Sequence, residues 1–253
     1  MDRSQANAAA TNLSRSAVMA TASGGVVLLA LSSACAVLTR FDTSFVAGSI
    51  AIYLPAALIV NARIRKYHPH EEFGSANIIT LGRLVLASLI AGLSLELAFS
   101  KVTITPIVAW CFLTMTVIGL ILDAIDGPVA RREGLTSRFG SRFDMEVDAL
   151  LILVLSVAVY FLDKAGWWVL IGGLLRYAFV AAAYIWPQLA SDLPPAWRRK
   201  IISAVQGGVL AALLAPIIVP PLSTITAAIA LGLLLYSFAV DVVWLARRKR
   251  ALL

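Results

Sequence analysis

Charge is what this sequence lacks most. Only 14% of its 253 residues are Asp, Glu, Lys or Arg, against 60% hydrophobic, where a soluble domain carries about a quarter charged residues. That deficit excludes a solvated globular enzyme and leaves an integral membrane protein. Cysteine is also scarce: Cys35 and Cys111 are the two present, both inside apolar runs. A disulfide framework is therefore not implied, and the pair read as small buried hydrophobes. The two histidines, His68 and His70, flank Pro69. No acidic or cysteine partner recurs at ligand spacing, so they read as part of a solvated linker rather than a metal site. No internal repeat is visible. No small-x-small cleavage site clearly closes the first apolar run, which is expected to be a retained helix rather than a signal peptide.

What remains is long apolar sequence. A spanning helix needs roughly 20 apolar residues, and eight stretches qualify, at about 17–38, 44–62, 76–99, 104–130, 140–162, 166–186, 201–219 and 222–246. Residues 1–16 are polar and read as frayed or disordered. The short, proline-broken loop 219–222 predicts a tight hairpin between the last two spans. Residues 63–75 mix basic and aromatic side chains and are expected to lie along the membrane surface. The fold class is thus an all-α, polytopic membrane bundle. The first two spans carry almost no charge and no motif. They read as an N-terminal tail and two-helix extension over 1–62, with a six-helix core over 63–253.

The net charge of +7 is better explained by cytoplasmic loops and anionic headgroups than by nucleic acid. Arg3, Arg15, Arg63, Arg65, Lys66, Arg131, Arg132, Arg138, Arg142, Arg198, Arg199, Lys200 and the basic run 247–250 fall on one side. Arg40, Lys101 and Lys164 fall on the other. This asymmetry places both termini in the cytoplasm, as an even number of spans requires. The compactness of the chain suggests a bacterial inner membrane.

The stretch 123–148, DAIDGPVARREGLTSRFGSRFDMEVD, joins the fourth and fifth spans. Asp123 and Asp126 are three apart, Asp144 and Asp148 four apart, the spacings that stack side chains on one face of a helix. Glu146, between the second pair, turns away from that face. Four carboxylates at a membrane edge repel one another and lose hydration, and a bound cation is the usual remedy. Hard divalent ions bind through a few carboxylates and complete their shell with substrate phosphate oxygens. Arginines alongside can hold phosphate in fork geometry. Pro128, inside the stretch, is expected to kink or end the fourth helix.

The pattern D-x2-D-G-x2-A-R-x8-G-x3-D-x3-D, filled by Asp123, Asp126, Gly127, Ala130, Arg131, Gly140, Asp144 and Asp148, resembles the signature of the CDP-alcohol phosphotransferase family. The six-helix core agrees with that family's fold. The resemblance implies transfer of a phosphatidyl group from CDP-diacylglycerol to an acceptor hydroxyl, with release of CMP. It implies Mg2+ or Mn2+, two ions, on Asp123, Asp126, Asp144 and Asp148, with Asp148 also the general base. Gly127 and Ala130 would admit the nucleotide, with Asp123 beside it, and Arg131 and Ser137 would contact its phosphates or ribose. Residues 76–80 resemble the stretch that opens the family's first core helix, which puts Asn77 and Thr80 in the cytidine pocket. A homodimer is the family expectation.

Arg176 reads as the basic residue deep in a span. Its depth predicts an interior cavity, here an acceptor pocket for an anionic group, with a structural pairing to Glu96 or Asp241 as the rival. Lys200, in a basic stretch resembling that of members with phosphorylated acceptors, joins it. Two other readings stay open. One is transfer of phosphocholine or phosphoethanolamine from a soluble CDP-alcohol to diacylglycerol. The other, from a different class, is a divalent-cation transporter, although transport favours carboxylates near the midplane.

Overall fold

A computed structural model of the chain describes residues 3–100, 103–190, 194 and 196–250. Among these the chain is all helical. The helices are Arg3–Thr39 (α1), Thr43–Tyr67 (α2), Ser75–Ser100 (α3), Pro106–Glu133 (α4), Arg138–Phe161 (α5), Leu170–Ile185 (α6), Trp197–Leu213 (α7) and Leu222–Arg250 (α8). Short 3-10 turns lie at Trp167–Val169 and Pro187–Ala190. Six segments, in α1, α2, α3, α4, Trp167–Ile185 and α8, are long and apolar enough to cross a bilayer. The eight helices match the eight expected stretches, but two fall short of that standard. Asp144, Glu146 and Asp148 interrupt the apolar part of α5, and α7 has 17 residues.

Several boundaries differ from expectation. Helix α1 starts at Arg3, not near residue 17, because Ala8, Ala9 and Ala10 are strong helix formers. Helix α7 stops at Leu213, leaving a loop to Pro221. Pro216, Pro220 and Pro221 offer no N–H to continue it. Helix α4 runs through Pro128 to Glu133. Helix α2 absorbs residues 63–67, so the surface segment expected there is a helix end followed by a short bend. Cys111 is exposed and Cys35 half-buried, a correction to both as buried hydrophobes. Lys101 lies outside the described residues.

The chain divides into two compact units, Met1–Leu151 and Ile152–Leu253. In the first, α3 is the hub and packs against α1, α2 and α4. Seventy-two per cent of its most apolar window is buried, against 17–33% for the other five spanning segments. Close approach to α2 depends on absent side chains. A Cβ at Gly48 would lie 3.2 Å from the Gly92 Cα, and one at Gly92 would lie 2.4 Å from the Phe45 carbonyl oxygen.

A buried carboxylate locks the same interface. Glu96 of α3 is fully buried and accepts from the Asp42 N–H at 3.0 Å and from the Ser44 hydroxyl. Asp42 is the N-cap of α2, yet its own side chain makes no capping bond. The neighbouring helix thus supplies the acceptor and the negative charge that a helix N-terminus favours. Glu96→Ala is expected to cost about 2 kcal/mol, a drop of roughly 4–8 °C in melting temperature. Glu96→Gln, which keeps an acceptor oxygen, should lose less; a thermal melt of the detergent-solubilised protein checks both.

In the second unit, Lys164 is buried and donates to the Ala215 and Ile218 carbonyls at 3.3 and 2.6 Å. Burial pulls its ammonium pKa down. It therefore ties the α5–α6 connection to the α7–α8 loop rather than standing as a free loop charge. Gly173 lets α6 approach α5, since a Cβ there would lie 2.7 Å from the Leu153 Cα.

Candidate metal and substrate site

The acidic stretch is shaped by how α4 ends and α5 begins. Gly134 stops α4 in the left-handed conformation, φ 68°, and its N–H returns to the Ala130 and Arg131 carbonyls. Only glycine adopts that backbone without penalty. Three residues later the Ser137 hydroxyl accepts the Gly140 N–H at 2.9 Å and so caps α5. Ser137 is in turn 2.8 Å from His68 Nδ1, while His68 Nε2 is 2.8 Å from the Glu72 carbonyl. A carbonyl can only accept, so Nε2 carries a hydrogen, and in the neutral ring Nδ1 then accepts from Ser137. That tautomer is the neutral imidazole, in keeping with burial, which lowers the His68 pKa. Phe139 packs beside it, and Phe73 packs against Phe139. His68 is thus a buried link between the end of α2 and the start of α5, not a solvated linker residue as expected.

These anchors bring the carboxylates together. Oxygens of Asp123, Asp126 and Asp144 lie within 4.8 Å of one another. At the centre is Arg83 of α3, with 1% of its side chain exposed. Its Nη1 is 3.0 Å from Asp126 Oδ2 and 2.5 Å from Asp144 Oδ1. Its Nη2 is 2.7 Å from Asp123 Oδ1 and also pairs with Asp148 Oδ1. The Thr80 hydroxyl donates to Asp126 Oδ2 at 3.2 Å. Asp126 is buried, while Asp123, Asp144 and Asp148 each keep more than a third of their side-chain surface open. The result is a cup with a guanidinium floor and a carboxylate rim.

With all four aspartates ionised, one positive charge faces four negative ones, which leaves three uncompensated. The donors are hard oxygens, each carboxylate gives only one oxygen to Arg83, and three lie close enough to share an ion. The set therefore fits a divalent cation of the Mg2+ or Mn2+ kind.

The other expected substrate residues lie on α3, on α4 and at the turn into α5. Asn77 is buried, with its amide donating to the Phe73 carbonyl. A Cβ on Gly140 would come within 3.1 Å of Asn77 Oδ1, which explains the glycine there. Thr80 is buried on Asp126. Arg131 folds back over Gly127, 3.4 Å from where a Cβ would stand, and is itself exposed. Ala130, half-buried, lies one residue before Arg131 on α4.

Arg176 and Lys200 belong to the second unit. Arg176 is half-buried on α6. Glu96 accepts from Asp42 and Ser44, and Asp241 pairs with Arg198 and Arg199 at 2.5 and 3.2 Å. Lys200 is exposed, with its ammonium 5.8 Å from the centre of the Trp197 ring.

The sequence motifs point to Arg176, not to Arg83, as the basic residue deep in a span. The signal was there, since Arg83 interrupts the apolar run of the third span. His68 was the second residue missed.

The profile of the family described as CDP-alcohol phosphatidyltransferase matches residues 73–243. Two curated relatives, each described as a probable phosphatidylglycerophosphate synthase, come from two strains of Mycobacterium tuberculosis. Each is 29% identical over 131 residues, covering 52% of this chain and 61% of the relative's length. No solved structure gives a significant match.

Proposed function

The chain belongs to the CDP-alcohol phosphatidyltransferase family, and from that premise we propose that it transfers a phosphatidyl group from CDP-diacylglycerol to the hydroxyl of a small anionic alcohol, releasing CMP. The observation that carries this reading is the gathering of Asp123, Asp126, Asp144 and Asp148 from two helices around one guanidinium. The relatives' description favours an acceptor of the glycerol 3-phosphate kind.

In this reading the four aspartates hold the divalent ions. When bound, these supply neutralisation of the pyrophosphate charge. Arg131, lying over Gly127 at the open side of α4, binds phosphate oxygens. Asn77, Thr80, Ala130 and Ser137 shape the nucleotide end. Asp148 accepts the proton of the acceptor hydroxyl. That oxygen bonds to the phosphorus next to the lipid, the phosphoanhydride bond breaks in line, and CMP leaves with the electron pair. We assign the reaction to residues 63–253, with 1–62 as an appended pair of helices. We place the cup and both termini on the cytoplasmic side of a bacterial inner membrane, and take the enzyme to be a homodimer.

The test is CMP release by purified protein given CDP-diacylglycerol, Mg2+ or Mn2+, and a panel of alcohols. Release with glycerol 3-phosphate or an inositol phosphate supports the reading. Release only when a soluble CDP-alcohol meets diacylglycerol would reverse the donor assignment. Ion flux without CMP release would make the protein a transporter. A second expected outcome concerns Arg176, assigned with Lys200 to the acceptor. Arg176→Ala should raise the acceptor KM at least tenfold and leave the KM of the lipid donor within twofold. Equal changes in both would remove it from the acceptor pocket.

A further inference from the structure

Arg83 contacts the four carboxylates in a particular order. Each outer nitrogen takes one aspartate from α4 and one from α5: Nη1 binds Asp126 and Asp144, Nη2 binds Asp123 and Asp148. Neither nitrogen serves a single helix. The buried Nε finds no acceptor among the described residues, so the side chain is sited for its two outer nitrogens. Each aspartate gives one oxygen, and on Asp126 the Thr80 hydroxyl uses that same oxygen. Four second oxygens are left over by this pairing.

We propose that Arg83 is a positioning residue which braces α4 against α5 and holds the four carboxylates ready for divalent ions, remaining at the floor of the cup when the ions bind. The inference rests on reading the cup as a divalent site. Bringing four carboxylates together costs repulsion, and a fixed guanidinium offsets much of that before any ion arrives. Its planar fork can meet two pairs of oxygens at once, which a lysine ammonium cannot do. The rival is a guanidinium that merely fills the cup until an ion displaces it. The two accounts differ in sign. A brace that is lost weakens ion binding, whereas a competitor that is lost strengthens it.

The test is Mn2+ binding to the full-length protein in detergent, followed by the loss of the free-ion electron paramagnetic resonance signal. Arg83→Lys keeps the charge and removes the fork; Arg83→Gln removes both. The brace predicts at least tenfold weaker Mn2+ binding in whichever variant folds, measured well below that variant's melting temperature. For Arg83→Lys it also predicts a fall in kcat larger than any change in donor KM. Unchanged or tighter Mn2+ binding in either folded variant overturns the proposal. The wild type separates this from failure of the underlying reading. If wild type binds Mn2+ and releases CMP while the variants bind as tightly, only the brace is wrong. If wild type binds no Mn2+, the divalent site falls and the brace with it.

Discussion

Asp148→Asn is expected to lower CMP release by about a thousandfold while CDP binding changes by less than about fivefold. General-base catalysis contributes about 10²–10⁴ in rate, so a thousandfold loss corresponds to about 4 kcal/mol of barrier. The substitution suits the geometry. Asparagine keeps an oxygen that can accept from Arg83 Nη2, the bond Asp148 makes now, but it cannot take a proton from the acceptor. The other three carboxylates keep their contacts with Arg83. Single-turnover kinetics with preloaded CDP-diacylglycerol separates the chemical step from binding. Loss of CDP binding with unchanged turnover would contradict the role given to Asp148.

The second large effect lies outside the site. Gly92→Leu is expected to lower the melting temperature by more than 10 °C and to open the loop between α1 and α2 to protease. Even the first carbon of a new side chain would stand 2.2 Å from Ser49 Oγ and 2.4 Å from the Phe45 carbonyl oxygen. The hydroxyl can rotate, but the backbone carbonyl must move, and with it α2. Overpacking alone costs about 1–3 kcal/mol, and separating the helices adds loss of the contact that the buried Phe45 ring makes beside Gly92. Gly82 is the internal control. It lies in the same helix with nothing within 4 Å of its Cβ position, so Gly82→Ala should be neutral or stabilising by about 0.5–1 kcal/mol. If the two substitutions behave alike, close packing of α2 on α3 is not what holds the leading pair.

Most helices were legible because an apolar run of spanning length has few alternatives in a membrane. The four aspartates were legible because helical spacing puts each pair on one face, whatever the surroundings. Arg83 was harder to place. A basic residue a few turns from a helix end can snorkel to the interface along its aliphatic stem. Sequence alone does not separate that from a buried, multiply paired guanidinium. His68 was misread because its partners, Ser137 and the Glu72 carbonyl, are ordinary polar groups that leave no ligand-like spacing. The start of α1 at Arg3 is masked by the polarity of residues 1–16, although the alanines among them favour helix. The docking of α2 on α3 hinges on Gly48 and Gly92, two small residues whose meeting depends on the mutual rotation of two helices. No one-dimensional pattern fixes that rotation.

The central claim is that the carboxylate cup holds a divalent ion against the pyrophosphate of a CDP-alcohol. The most direct measurement is electron–nuclear double resonance of Mn2+ bound to the purified protein in the presence of CDP. The account predicts a phosphorus-31 coupling on protein-bound Mn2+ that disappears in Asp123→Asn and Asp144→Asn. Bound Mn2+ with no phosphorus coupling, or a coupling unchanged by either substitution, would contradict it.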